Sequence, residues 1–207
     1  MGFGLCAFGY AFLMLEHLGL DVAGYVLISV GFFGVASELK AYKGYKIAAF
    51  AAAACVPFAL FNLYLTIYDY ASLPALPQPV IVVKGVALAL LATVLSFAHG
   101  NSTSKIAADG GAKTFSFRAL ATAYLTALYS ALKIAGAFAP ADGTLAAVIV
   151  FGQYVVVFLN MWLLFTCFTT ITTKRRQAIE EEIIERETEK IVRKKLLKKK
   201  GRNEDEA

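Results

Sequence analysis

The sequence predicts an all-α fold: an integral membrane bundle of about six transmembrane helices, followed by a long charged cytoplasmic helix at the C-terminus. Three observations predict it. First, 58% of the 207 residues are hydrophobic, in runs that approach or reach the ~20 residues needed to cross a hydrocarbon core. Second, the connections between runs alternate between basic and acidic. Eighteen of the twenty Lys and Arg fall on one side of the implied membrane, and such residues are retained in the cytoplasm. Third, composition changes abruptly to charge near residue 173. The expected organisation is a transmembrane domain over 1–172 and a helical tail over 173–207. Both termini are expected inside a plasma (inner) membrane.

The expected spans are 3–18, 22–39, 47–68, 80–98, 119–138 and 144–170. Span one is short and bears glycine, so a partial or tilted crossing is its main alternative. An acidic turn, Glu16 to Asp21, leads to span two. Lys40, Lys43 and Lys46 mark the first inner connection. Span three has Tyr45 and Tyr68 at its ends, a spacing that matches two interfacial aromatic belts. It carries Pro57, which removes a backbone hydrogen bond and kinks a helix. The Pro-rich link DYASLPALPQP ends it.

Span four is expected to stop at Ala98 and give way to a polar loop, HGNSTSKIAADGGAKTFSFR, with Lys105, Lys113 and Arg118. Span five has alanine at 119, 123, 127, 131 and 135. Small residues at i+4 spacing let helix backbones approach in lipid, where no hydrophobic force brings helices together. Gly85, Ala89 and Thr93 repeat the spacing in span four, and 48–54 is Ala-rich. Cys6, Cys55 and Cys167 lie in separate apolar runs with no C-x-x-C pair, which reads as core packing rather than thiol chemistry.

Two groups of side chains are candidates for a site. An outer polar cluster comprises Glu16, His17, Asp21, Asp69, Lys84, Lys133 and Asp142. Lys84 and Lys133 lie about a turn inside their spans and must snorkel or find a partner. Interfacial solvation explains such a cluster, and so does a solute or head-group site. Glu16, His17 and Asp21 have no metal-ligand spacing, so no metal is expected. The second group is intramembrane: Asn62, Gln153 and Asn160. Gln153 and Asn160 are seven apart and share a helix face. No carboxylate or histidine is placed deep in a span, which argues against ion-coupled transport.

No H-E-x-x-H, G-x-S-x-G or P-loop is present, so no catalytic residue or cofactor is assigned and the chain reads as non-enzymatic. From 153 to 200 there is neither Gly nor Pro, which permits a long helix. Its weakest point is the β-branched run 169–173. The end of the tail carries Lys190, Arg193, Lys194, Lys195, Lys198, Lys199, Lys200 and Arg202 with no acid among them. That block is expected to contact anionic lipid. Specific nucleic-acid binding is not expected.

Asp21, Gly24, Tyr25, Gly31, Lys40, Tyr42, Lys43 and Tyr45 form a turn entering a span, a glycine along it, and a Lys/Tyr connection. In these residues, within 21–50, the chain resembles a loose group of small uncharacterised multi-pass membrane proteins of Gram-positive bacteria. The resemblance implies a bacterial plasma membrane and carries no activity. Two functions follow as expectations. The first is a non-enzymatic accessory or scaffold component that meets a protein partner through its tail. The second is a small-solute transporter or channel with an outward-facing polar vestibule.

Overall fold

In a computed structural model, the described residues are 2–71, 77–138 and 143–171. Every regular element among them is helical: α1 (Phe3–Leu13), a 3-10 turn (Glu16–Leu18), α2 (Asp21–Glu38), α3 (Gly44–Ala71), α4 (Gln78–Asp109), α5 (Lys113–Phe138) and α6 (Gly143–Ile171). The chain divides into two compact units, Met1–Phe168 and Thr169–Ala207. Almost all of the second, including the lysine and arginine block at 190–202, lies outside the described residues.

α2, α3, α4 and α6 are each long and apolar enough to cross a membrane. α1 has 11 residues, about 17 Å of helix, so it stops at Leu13 rather than 18 and falls well short of a ~30 Å core. Its chain then turns through the 3-10 segment, and Gly19 at φ 72° closes that turn. A left-handed residue there reverses the backbone into α2 at no cost to glycine. α5 has 26 residues but not the apolarity of the other four long helices.

Consecutive helices pack as neighbours from α1 to α5. α1 and α2 touch backbone to backbone through two glycine pairs. A Cβ on Gly9 would stand 2.8 Å from the Gly24 oxygen, and one on Gly31 would stand 2.8 Å from the Gly2 oxygen. Both pairs repeat at seven residues, so the two helices meet along one seam. α2 and α3 are joined by Ser29, whose hydroxyl donates to the Ala49 oxygen at 3.0 Å. Ala48, Ala49 and Ala52 are fully buried there, as the Ala-rich stretch predicts. α3 runs unbroken through Pro57.

The largest difference from expectation is α4, which continues through the supposed loop to Asp109. His99, Gly100, Ser102, Thr103, Ser104 and Ala107 are buried. A Cβ on Gly100 would meet the Ala119 oxygen and the Ala123 methyl at 3.0 Å, so α5 lies directly against it. Packing of this face outweighs the weak local preference of Gly, Asn and Ser for a turn. The connection shrinks to Gly110–Ala112. The Ala112 N–H donates to the Ala107 oxygen at 2.7 Å and the Gly111 N–H to the Ala108 oxygen at 2.9 Å. With Gly111 at φ 73°, this is a Schellman cap.

Three packing expectations are corrected. Tyr45 does not face an interfacial belt: its side chain is buried between Phe3 and Phe32. The alanine ridge of α5 is buried only at Ala119 and Ala123, and Ala131 and Ala135 are exposed. A strict i+4 row drifts by about 40° per step around a helix of 3.6 residues per turn, so five members cannot face one neighbour. Gly85 meets nothing within 4 Å of its missing Cβ, so it packs against no helix. All three cysteines are buried and free. Large apolar side chains cover much of the outer surface, with Val83 65% and Phe151 71% exposed.

Candidate solute site inside the bundle

At one end of the bundle, Asp21, Asn62 and Lys84 form a chain across α2, α3 and α4. Asn62 Nδ2 donates to Asp21 Oδ2 at 2.6 Å, and Lys84 Nζ donates to Asn62 Oδ1 at 2.5 Å. An ammonium only donates and a carboxylate only accepts, so the amide orientation follows from its two partners. Asp21 is 1% exposed, and it sits where the 3-10 turn delivers the chain into α2. Asn62 projects toward it from five residues beyond Pro57.

A second group lies between α5 and α6. Lys133 Nζ and the Tyr129 hydroxyl both donate to Gln153 Oε1, at 3.3 and 3.1 Å. Gly152 lets the Tyr129 ring lie on α6, since a Cβ there would stand 3.0 Å from the ring.

Deeper still, Asn160 ties α6 to α4 and α5. Its Nδ2 donates to Thr126 Oγ1 at 3.0 Å and to the Val156 oxygen at 2.9 Å. The Val156 carbonyl can only accept, so Oδ1 must be the atom that faces His99 Nε2 at 3.0 Å and Ser96 Oγ at 3.3 Å. Neutral His99 therefore carries its proton on Nε2. Its Nδ1 has no hydrogen-bond partner among the described residues. The ring is fully buried, stacked on Phe32 with centroids 5.4 Å apart and edge-on to Tyr10.

These groups border two cavities. The outer one is about 420 Å³, lined by Glu16, Asn62, Lys84, Lys133, Gly85 and neighbouring apolar side chains. Its volume falls within the ~300–1,000 Å³ of small-molecule sites. The inner one is about 80 Å³ and is lined by Tyr10, Thr126, Tyr129, Gln153 and Asn160, among others. Both are also lined by Glu16, Leu88 and Lys133, so the inner cavity lies behind the outer. Neither Lys84 nor Lys133 has a carboxylate at ion-pair distance among the described residues; each ammonium rests on an amide oxygen.

Of the expected outer cluster, Glu16, Asp21, Lys84 and Lys133 gather here, together with Asn62 from the other group. His17 and Asp69 lie in described backbone, but their side chains are outside the described residues, as is Asp142. Gln153 and Asn160 do share a face of α6, turned toward the inner cavity. His99, within α4, and Asp21, at the start of α2, are buried in the protein interior. His99 was not legible because 99–118 resembled a loop, and Ser96, Thr126 and Tyr129 because they look like ordinary span residues. A signal was present: Ser96, His99 and Thr103 keep helical spacing beyond Ala98. No three His, Cys, Asp or Glu gather as a metal site among the described residues.

At the far end of the same unit the contacts are clamps rather than cavities. The Tyr42 hydroxyl donates to Asp109 Oδ2 at 2.6 Å, and that carboxylate raises the Tyr42 pKa above its ordinary range. Tyr45 pairs with Thr103 at 3.0 Å and Ser104 with Ser116 at 2.7 Å. No protein-family model matches the chain, and no curated protein or solved structure is similar to it.

Proposed function

We propose that this is a multi-pass membrane protein that binds a small solute in a polar vestibule opening to the outer face, and that it moves the solute across the bilayer. The observation that carries this reading is convergence. Asn62, Gln153 and Asn160 each join a different set of helices, and the same side chains also face open space. They line two adjoining cavities with Lys84, Lys133 and Glu16. Amides and hydroxyls supply orientation, and the two ammonium groups supply charge. Such a set is expensive to keep inside a bundle without a use for it.

The proposed topology has six crossings with both termini inside. α1 is short and is carried by its glycine seam with α2, and α5 is shielded by α4 and α6. This arrangement places Lys40, Lys43, Lys46, Lys105, Lys113 and Arg118 inside. A reporter fused after Gly110 is expected to behave as cytoplasmic, and one fused after Gly143 as external. An external signal from the first would overturn the topology.

The test of the function is flux. Purified protein is reconstituted in liposomes loaded with small organic anions, for example lactate and glycerol phosphate. Wild-type vesicles are expected to release at least one of them faster than empty ones. Lys133→Gln is expected to slow that release about tenfold, the loss of one charge-assisted hydrogen bond. Wild-type release no faster than empty vesicles would remove the reading. A second reading, an accessory or scaffold component, rests on the basic block at 190–202, including Lys190 and Arg202. It gains if mild-detergent purification recovers a partner that is lost when that block is deleted.

A further inference from the structure

The outer cavity does not end at its polar wall. It adjoins an open groove of about 630 Å³ on α4, lined by Pro79, Val82, Val83, Val86 and Leu90, with Phe138 of α5 alongside. Gln78 and Val82 line both spaces. The groove residues fall at i, i+3, i+4, i+7 and i+11, which is one straight stripe along the helix. Eleven residues of rise make it about 17 Å long, close to half of a ~30 Å hydrocarbon core. The groove thus has the length of one leaflet and is apolar throughout except at its Gln78 end.

Beside Gln78 and Val82, on the cavity side, the chemistry changes. The cavity wall offers two ammonium groups, Lys84 and Lys133, against one carboxylate, Glu16. The two cations repel one another, an effect that Glu16 and Asp21 oppose at Lys84, and among the described residues each ammonium donates to a neutral amide. A singly charged anion between them would satisfy both. We infer that the vestibule and groove together take an anionic phospholipid, its head-group phosphate between Lys84 and Lys133 and one acyl chain along the α4 groove. This inference rests on the vestibule reading and narrows its solute from any small anion to an amphiphilic one. A free anion would fill the cavity and leave the groove without a role. A neutral lipid would fill the groove and bring the two ammonium groups no anionic partner.

The experiment is lipid binding to the full-length protein in neutral detergent, read by native mass spectrometry. The probes are phosphatidylglycerol, phosphatidylcholine of the same chains, and soluble glycerol phosphate. Phosphatidylglycerol is expected to bind about tenfold or more tightly than phosphatidylcholine, the effect of one or more charge-assisted contacts. The double variant Lys84→Gln/Lys133→Gln should weaken phosphatidylglycerol about tenfold relative to the wild type, leaving only the preference that the 190–202 block contributes. Ala87→Trp fills the groove without touching the cavity wall; it should weaken both lipids and leave glycerol phosphate unchanged. Equal binding of the two lipids by the wild type would overturn the inference. So would glycerol phosphate binding as tightly as phosphatidylglycerol, and in that case the vestibule reading stands. If no probe binds and no anion is released from liposomes, both fall. Should the double variant misfold, the wild-type comparison and Ala87→Trp still decide.

Discussion

Asn160 shows how one side chain can fix several others. It satisfies Ser96, His99 and Thr126 at once and is 1% exposed. Replacing it with alanine strands buried donors and should lower stability by about 1–3 kcal/mol, measured by thermal unfolding in detergent. Ser96→Ala removes only a long bond of 3.3 Å and should cost about 0.5 kcal/mol. Equal losses would mean that Asn160 acts through packing alone. Lys84 and Asn62 make the complementary case. Asn62→Leu leaves Asp21 and Lys84 without their shared amide, so it should destabilise more than Lys84→Gln, which retains a donor for Asn62 Oδ1. The individual polar residues Asn62, Gln153 and Asn160 were legible in the sequence because an amide in an apolar run is conspicuous. Their partners were not, since Thr126 and Tyr129 look like ordinary helix residues until α6 is laid against them.

Element boundaries were legible where backbone chemistry enforces them. The Gly19 reversal and the Pro-rich link before Gln78 are visible in the chain itself. The end of α4 was not, because GNSTS is a weak helix former and only its burial against α3, α5 and α6 keeps it helical. The true stop lies at Gly111, and Gly111→Ala should cost about 1 kcal/mol by forcing a side chain into the left-handed region. A larger effect is expected at the α1–α2 seam. Gly9→Val and Gly24→Val each push a side chain into backbone less than 3 Å away. Either should destabilise by about 1–3 kcal/mol or more and separate α1 from α2. Hydrogen exchange of the 3–13 amides checks this. Unchanged protection in both variants would show that the seam does not hold α1. Gly24 and Gly31 also belong to the motif of residues 21–50, so that motif encodes a close helix approach.

At the scale of the whole molecule, charge segregation organises the account. The Tyr42–Asp109 and Ser104–Ser116 clamps lie at one end and the cavity with Glu16, Lys84 and Lys133 at the other. The pairing of the ends was legible because each connection alternates. The convergence of Glu16, Asn62, Lys84 and Lys133 on one cavity was not, since it depends on helix rotation. The central claim is that the outer cavity is open to water on the external face. Gly85 lines that cavity with free space at its Cβ position, and the three native cysteines are buried. The most direct measurement is therefore labelling of Gly85→Cys in intact cells by a membrane-impermeant maleimide, with the unsubstituted protein as control. Rapid labelling from outside is expected. Labelling only after the cells are opened, or none at all in folded protein, would contradict it.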